Sequence, residues 1–223
     1  MAQAGIHALV GQAVRRWLPK AEWLMPGLVL GNLFPDFDNI AVAVATVAKL
    51  PTEGLHRTFT HSIFTVLAAI LLFWGIGKLK KQARWQNFGL GFGLGIIMHI
   101  LLDFAIWFNG VAVLWPLPIW INFWQGVTPP TWFEALMNPL EFLFMALFFW
   151  ALGRAARKNK TNIDFLGKLN IWLMVLGILF VVFTPLAYIM QKGFLTLFGA
   201  VYLLMLFVAA AVTWRMRETL DTV

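Results

Sequence analysis

The 223-residue chain is 61% hydrophobic, only 12% charged and free of cysteine, so disulfides, thiolate metal sites and a cysteine nucleophile are excluded. Soluble domains carry about 25% charged residues. The apolar surface of this chain is more than one compact core in water could bury, so part of it must face lipid. The net charge of +7 does not indicate nucleic-acid binding, because the basic residues form short clusters between long apolar runs, as topology signals do.

Seven apolar segments follow one another along the chain. The first two, at about residues 4–18 and 21–34, are short for a crossing, and we expect a re-entrant or half-spanning helical hairpin. Five longer segments follow, at about residues 60–77, 88–108, 135–153, 169–190 and 194–214. Each approaches or exceeds the roughly 20 residues that a transmembrane helix needs. The sequence therefore predicts an all-α, polytopic integral membrane helix bundle of about five transmembrane helices, in one membrane domain over residues 1–223.

Basic residues occupy alternate loops of this bundle. They are Lys78, Lys80, Lys81 and Arg84, then Arg154, Arg157, Lys158 and Lys160, and then Arg215 and Arg217 after the last segment. Positive charge marks the cytoplasmic side, so we expect these loops and the C-terminus in the cytoplasm. Residues 104–133 contain no charged side chain, but they include five tryptophans. Tryptophan favours the headgroup layer, so this stretch is predicted to lie along the outer interface.

Ionisable side chains in or beside these segments are costly in lipid and mark candidate site residues. His99 and Asp103 are four residues apart, so on a helix they face the same side and can bind one cation. The other candidates stand within or at the ends of their segments: His7, Asp36, Asp38, His56, Arg57, Thr60, His61, Ser62 and Glu141. The predicted topology brings three separate segments with histidine and aspartate to one depth, in the outer half of the membrane.

Imidazole and carboxylate ligands without thiolate favour zinc, with manganese or iron as alternatives, as one or two divalent ions. Such an ion lowers the pKa of bound water, which favours hydrolysis of a lipid-linked or amphiphilic ester or phosphoester. In this hypothesis the metal ligands are His56, His61, His99, Asp36 and Asp103. Asp38 or Glu141 is the general base, and Arg57 binds an anionic group of the substrate. Membrane lipid and a lipid-like substrate are then the expected partners.

Other interpretations remain open at this stage. A single buried histidine is more often structural than a ligand, which applies most to His7. Thr60 or Ser62 could cap the helix that follows, and Glu141 could favour a helix N-terminus. A transporter or ion-binding protein could use the same residues, because broken segments and charges at mid-membrane depth are typical of transporters. A non-catalytic membrane protein with a structural metal is the third alternative.

Four motifs resemble those of the YdjM-like family of inner-membrane proteins, which is described as a family of metal-dependent hydrolases. They are Gly5-Ile6-His7, Pro35-Asp36-Phe37-Asp38, His56-Arg57-Thr58-Phe59-Thr60-His61-Ser62 and His99-Ile100-Leu101-Leu102-Asp103. The resemblance covers roughly residues 5–150, and residues 165–223 would be an additional C-terminal helix pair. It implies a bacterial inner-membrane location. It also implies site roles for His7, Asp36, Asp38, His56, His61, His99, Asp103 and, less directly, Glu141. The sequence departs from the family pattern at two positions. Thr58 stands where glycine is usual, and Asn39 stands where a histidine can follow the second aspartate of the Pro35–Asp38 motif.

Overall fold

The computed structural model describes residues 4–190 and 192–222, and nearly all of its regular structure is helical. The α-helices are α1 Ala4–Ala13, α2 Leu24–Leu33, α3 Asn39–Val47, α4 Ile63–Lys80, α5 Ala83–Ile106, α6 Thr131–Asn159, α7 Leu166–Ile189, α8 Phe194–Arg215 and α9 Arg217–Thr222. Short 3-10 helices cover Val14–Trp17, Phe34–Asp38, Phe59–His61 and Ile163–Phe165. Over the described residues no strand forms, apart from an isolated antiparallel bridge between Val111 and Ile121. The all-α prediction is confirmed.

Six described segments are long and apolar enough to cross a membrane. They are Leu24–Val47, Ile63–Lys80, Ala83–Ile106, Thr131–Asn159, Ile163–Ile189 and Phe194–Arg215. Five of them correspond to the predicted spans. The first differs from the prediction, because the second short segment continues past Phe34, through a 3-10 helix and into α3, as far as Val47. Pro35, Asp36 and Asp38 interrupt the apolar run there, so hydropathy alone ends the segment too early.

The helices divide between two compact units. Unit 1 contains α1 and α6 to α9, and unit 2 contains α2 to α5 together with the loop that follows α5, up to Thr128. The chain passes from unit 1 to unit 2 between Leu18 and Pro19, and returns between Thr128 and Pro129.

Glycines let α2 and α5 approach backbone to backbone in unit 2. A Cβ atom on Gly91 would lie 2.1 Å from the carbonyl oxygen of Leu24, and one on Gly95 would lie 2.2 Å from that of Leu28. Real Cβ atoms do not come so close, so both positions require glycine. Small residues four apart are typical of such close membrane-helix contacts. Because residue numbers rise together along both helices, α2 and α5 run parallel.

Helix α4 packs on another face of α5, through Gly89 and Gly93. Ideal Cβ atoms there would lie 2.5 Å from side-chain atoms of Phe73 and Ile70 respectively. Here the numbers rise along α5 as they fall along α4, so these two helices are antiparallel. The C-terminal ends of α2 and α5 therefore meet the N-terminal end of α4, and we call this the site end of unit 2.

In unit 1, α1 lies along α6. A Cβ atom on Gly5 would lie 2.5 Å from the backbone nitrogen of Met145, so glycine is again required by close approach. The Gly5 N–H donates to both carboxylate oxygens of Glu141, at 3.0 and 2.9 Å. The next residue of α6, Phe142, packs against Phe183 of α7 and Phe198 of α8, and its ring centroid lies 5.2 Å from the first and 5.6 Å from the second.

Candidate metal centre

Seven of the predicted site residues lie together at the site end of unit 2. The 3-10 helix after α2 carries Asp36 and Asp38, the loop before α4 carries His56, Arg57 and His61, and the last turns of α5 carry His99 and Asp103. All except Asp38 and His56 are buried. The convergence of three separate segments, which the sequence predicted, is therefore observed, although the sequence could not say which atoms would face one another.

Four of these residues form a central cluster, namely Asp36, His61, His99 and Asp103. His61 Nε2 lies 3.6 Å from Asp103 Oδ2, and His99 Nε2 lies 3.8 Å from both Asp103 Oδ2 and Asp36 Oδ1. Bonds of about 2.1 Å from a tetrahedral zinc ion place its ligands about 3.4 Å apart. These three distances exceed that spacing by a few tenths of an ångström, and the ligand atoms of Asp36, His61 and His99 lie within 4.8 Å of one another, close enough to hold one ion.

Hydrogen bonds behind the two histidines favour the tautomer that a metal needs. His99 Nδ1 lies 2.8 Å from the backbone oxygen of Asn32, which can only accept, so Nδ1 carries the hydrogen. His61 Nδ1 lies 3.0 Å from Thr60 Oγ1 and 3.3 Å from Asp38 Oδ2. Thr60 in turn donates its hydroxyl hydrogen to Asp38, so its oxygen can accept from His61. Metal-binding histidines are held in this way from the nitrogen opposite the ion.

Asp38 is contacted by five donors. They are His56 Nδ1 at 2.6 Å, the Arg57 backbone N–H at 2.9 Å, the Thr60 hydroxyl at 2.9 Å, His61 Nδ1 at 3.3 Å and Asn39 Nδ2 at 3.4 Å. A separation of 2.6 Å is a short hydrogen bond and is less than two ligands of one ion would keep. This hydrogen bond orients His56, and Asp38, His56 and His61 also each offer one ligand atom within 4.8 Å of the others, so their role as metal ligands stays a prediction.

Arg57 adopts a left-handed backbone conformation, with a φ of 63°, and its side chain is buried. Such a conformation costs about 1 kcal/mol or more outside glycine and is often found at functional sites. Nε lies 3.2 Å from Asp103 Oδ2, and Nη1 donates to the Asn109 carbonyl at 3.2 Å. Nη2 is buried and has no hydrogen-bond partner within the described part of the chain. The site thus presents an unused guanidinium donor beside the central cluster.

The electrostatics of the cluster favour a charged His61 when no cation is bound. Burial opposes the charged form of this imidazole, but hydrogen bonds to Asp103 and Asp38 and the charges of both carboxylates outweigh it and raise the His61 pKa to about 9. A cation that binds Nε2 must therefore displace a proton near neutral pH.

Residues 107–128, which we call the aromatic cap, are tied to the site by backbone hydrogen bonds. Ala112 N–H donates to the Arg57 carbonyl and Ile63 N–H donates to the Val113 carbonyl, both at 2.9 Å. Ser62 Oγ donates to the Trp115 carbonyl at 2.8 Å and also caps α4 by accepting from the Phe64 N–H at 3.2 Å. The capping alternative thus holds for Ser62, whereas Thr60 contacts Asp38 and His61.

Two other predicted residues, His7 and Glu141, belong to unit 1. His7 is buried in α1. Both oxygens of Glu141 accept from Gly5 N–H at the first turn of α1, where a carboxylate is favoured by the partial positive charge of the helix end. These contacts are those of a helix-capping carboxylate, although the capped helix is α1 and not its own helix.

The two departures from the family motif have visible contacts. Thr58 Oγ1 donates to the Gly54 carbonyl at 3.0 Å, within the loop before α4. Asn39 Nδ2 donates to the Asp36 carbonyl at 2.8 Å and so supports the turn that carries both aspartates.

Sequence reasoning missed the backbone oxygens of Asn32 and Asn109, which hold His99 and Arg57. The only available signal was a polar residue inside an apolar run in the first case, and an Asn-Gly turn in the second.

The fold and the site define a polytopic membrane protein with a buried cluster of histidine and aspartate. The YdjM inner membrane protein family matches residues 2–195, and the chain belongs to this family. Among its relatives are the inner membrane proteins YdjM of Escherichia coli (strain K12) and of Shigella flexneri. Each is 30% identical over 146 residues, which cover 60% of this chain and 69% of the relative. No solved structure matches the chain significantly. The predicted resemblance is confirmed, and the chain is an integral inner membrane protein.

Proposed function

We propose that this protein is a membrane-embedded, metal-dependent hydrolase that acts on a lipid-linked or amphiphilic ester or phosphoester. The central cluster would hold one divalent ion, with zinc as the first expectation and manganese or iron as alternatives. The observation that carries the proposal is the arrangement of His61 and His99. Their Nε2 atoms lie within 3.8 Å of aspartate oxygens. On the opposite side of each ring, Asp38 contacts Nδ1 of His61 and the Asn32 carbonyl oxygen contacts Nδ1 of His99.

A divalent ion held by His61, His99 and one aspartate of this cluster would keep a position for a bound water of lowered pKa and would stabilise negative charge on oxygen. The residues around it divide the remaining tasks. Arg57 Nη2 would donate to an anionic oxygen of the substrate, in the planar geometry that suits phosphate. Asp38 would keep His61 in its tautomer, and the five donors around its carboxylate leave it poorly suited to accept another proton.

His56 is better placed than Asp38 to act as general base. Its Nδ1 is fixed by Asp38 Oδ1 at 2.6 Å, and its Nε2 has no hydrogen-bond partner among the described residues. The His56 side chain is 22% exposed, whereas the side chains of His61 and His99 are fully buried. Nε2 itself is buried, but the exposed part of the ring brings solvent closer to His56 than to the two fully buried histidines.

The orientation of unit 2 supports a site on the outer face of the membrane. The end opposite the site end carries Lys78, Lys80, Lys81 and Arg84, where α4 leads into α5. Positive charge favours the cytoplasm for that end, which leaves the central cluster toward the other face. Exposed aromatic side chains on the cap, such as Phe123 with 70% exposure, suit the headgroup layer and favour an amphiphilic substrate.

Because the chain lacks cysteine, single-cysteine labelling tests this orientation without background. Gln125 in the aromatic cap and Lys81 in the basic loop are both exposed. In spheroplasts, Gln125→Cys should react with a membrane-impermeant maleimide, and Lys81→Cys should react only after permeabilisation. The reverse pattern would place the site on the cytoplasmic face.

The function is tested by metal content and turnover of the purified protein. Wild type should retain close to one divalent ion per chain and hydrolyse at least one member of a panel of phospholipids and lipid phosphates. The double variant His61→Ala, His99→Ala should lose both properties. Asp164→Asn is the matched control, because it alters an exposed carboxylate that pairs with Arg215.

Single variants separate binding from chemistry. His56→Asn and Arg57→Gln should keep the ion but lose most of the turnover, since neither side chain belongs to the central cluster. Retained ion without turnover of any substrate in wild type would favour a structural metal. Uptake of metal into proteoliposomes that the double variant abolishes would favour transport instead.

A further inference from the structure

A cavity in unit 1 combines apolar walls with two guanidinium groups. Its volume is about 350 Å³, and it is lined by Leu9, Gln12, Ala13, Arg15, Arg16 and Ala151. No carboxylate is among these six lining residues. The cavity uses none of the residues of the central cluster, which belong to unit 2.

The cavity lies at the basic end of unit 1. Gly5 packs against Glu141 and Met145, while the following turns of α1 share the cavity with Ala151, so α1 runs parallel to α6. The 3-10 helix that follows α1 therefore comes level with the last turns of α6, which carry Arg154, Arg157 and Lys158. Two separate stretches thus bring positive charge to one end, which favours the cytoplasmic membrane surface.

The polar groups of the cavity match a phosphate that carries a neighbouring hydrogen-bond donor. Arg16 is exposed, and its guanidinium stacks 4.2 Å above the Trp17 ring, an arrangement suited to the membrane interface. Arg15 is anchored through the carbonyls of Leu18 and Asp221, at 3.1 and 3.4 Å. The Gln12 Oε1 atom is buried and has no hydrogen-bond partner among the described residues, so it can accept from a ligand.

We propose that this cavity binds the headgroup of an anionic phospholipid of the cytoplasmic leaflet, of the phosphatidylglycerol type. The phosphate would lie against Arg15 and Arg16, a glycerol hydroxyl would donate to Gln12 Oε1, and the glycerol backbone would contact Leu9 and Ala151. Basic pockets beside transmembrane helices on the cytoplasmic side are suited to such headgroups. Phosphatidylcholine has neither the net charge nor the hydroxyl donor.

Native mass spectrometry of the full chain in detergent tests this directly. Protein is mixed with equal amounts of phosphatidylglycerol, phosphatidylethanolamine and phosphatidylcholine, and bound lipids are counted. Wild type should retain one phosphatidylglycerol preferentially. Arg16→Gln should weaken its binding about fivefold, the effect of removing one basic residue near an anionic lipid surface. Gln12→Leu should reduce the preference for phosphatidylglycerol over phosphatidic acid, which lacks the glycerol hydroxyls.

The matched control is Arg154→Gln. This exposed arginine stacks on Trp150 much as Arg16 stacks on Trp17, but it does not line the cavity. It should weaken lipid binding much less than Arg16→Gln does, because it removes charge from the same end of unit 1 without altering the cavity. Equal retention of the three lipids by wild type, or an equal loss in Arg154→Gln, would overturn the proposal. So would displacement of the lipid by millimolar inorganic phosphate, because the site would then be a general anion site. Metal content should not change in Arg16→Gln.

Discussion

The two compact units bury polar groups in different ways. In unit 1, the buried carboxylate of Glu141 accepts from the backbone N–H of Gly5 at a helix end. In unit 2, three aspartates, two histidines and an arginine contact one another at the site end. A backbone donor can satisfy one carboxylate, but a cluster of three carboxylates, two of them buried, needs several donors and positive charges. This difference is why we place the proposed metal centre in unit 2, whereas the described contacts of Glu141 in unit 1 are those of a helix cap.

The largest effect is expected from Gly95→Ala. Its Cβ would lie 2.2 Å from the Leu28 carbonyl, so α2 and α5 must separate and Asn32 O would move away from His99. We expect a loss of about 3 kcal/mol in the free energy of unfolding, the upper range for overpacking a core, measured by denaturant titration in detergent micelles. Bound metal should fall with it.

Gly177→Ala in α7 is the matched control for this change. Nothing lies within 4 Å of a Cβ at that position, and its backbone is helical. Alanine there should be neutral or stabilise by up to about 1 kcal/mol, the difference in helix propensity. Similar losses in both variants would contradict the close contact of α2 with α5.

The second prediction compares the two carboxylates. Asp38→Asn should weaken metal binding about 10- to 100-fold, because residues that orient a histidine ligand contribute on that scale. Glu141→Gln should leave the affinity unchanged, since its carboxylate accepts from Gly5 N–H in unit 1 and belongs to none of the groups of described residues that could hold a metal. Competition with a chromophoric zinc chelator measures both affinities. An equal loss in Glu141→Gln would remove the distinction between the units.

A smaller effect is expected from pH. Metal binding must displace a proton from His61, whose pKa is raised to about 9. The affinity should therefore rise about tenfold per pH unit between pH 6.5 and 8.5 and level off above pH 9. Titrations in buffers of different ionisation enthalpy would show about one proton released per ion. An affinity independent of pH over this range would exclude His61 as a ligand.

The sequence was informative wherever a property depends on composition along the chain. The lengths of the apolar runs predicted five of the six candidate spans, and the cost of ionisable groups in lipid identified His61, His99 and Asp103. The sequence prediction ended the first of these spans at residue 34 instead of Val47. Pro35 and two aspartates lower the local hydropathy there, although the chain continues as a helical segment.

Tertiary contacts decided the rest. The Asn32 carbonyl can reach His99 because it lies in the last turn of α2, just before the 3-10 helix that begins at Phe34, and because glycines bring α2 onto α5. The left-handed conformation of Arg57 depends on Asp38 and on the aromatic cap, which are far away in sequence. No local pattern indicated that Glu141 would cap the start of α1.

The central claim is tested most directly by zinc K-edge X-ray absorption on the purified, zinc-loaded protein. The account predicts two imidazole nitrogens and two oxygens at about 2.0–2.2 Å, with the imidazole scattering lost in the double variant His61→Ala, His99→Ala. A first shell of oxygen atoms alone, unchanged in that variant, would show that the ion lies outside the central cluster and would contradict the account.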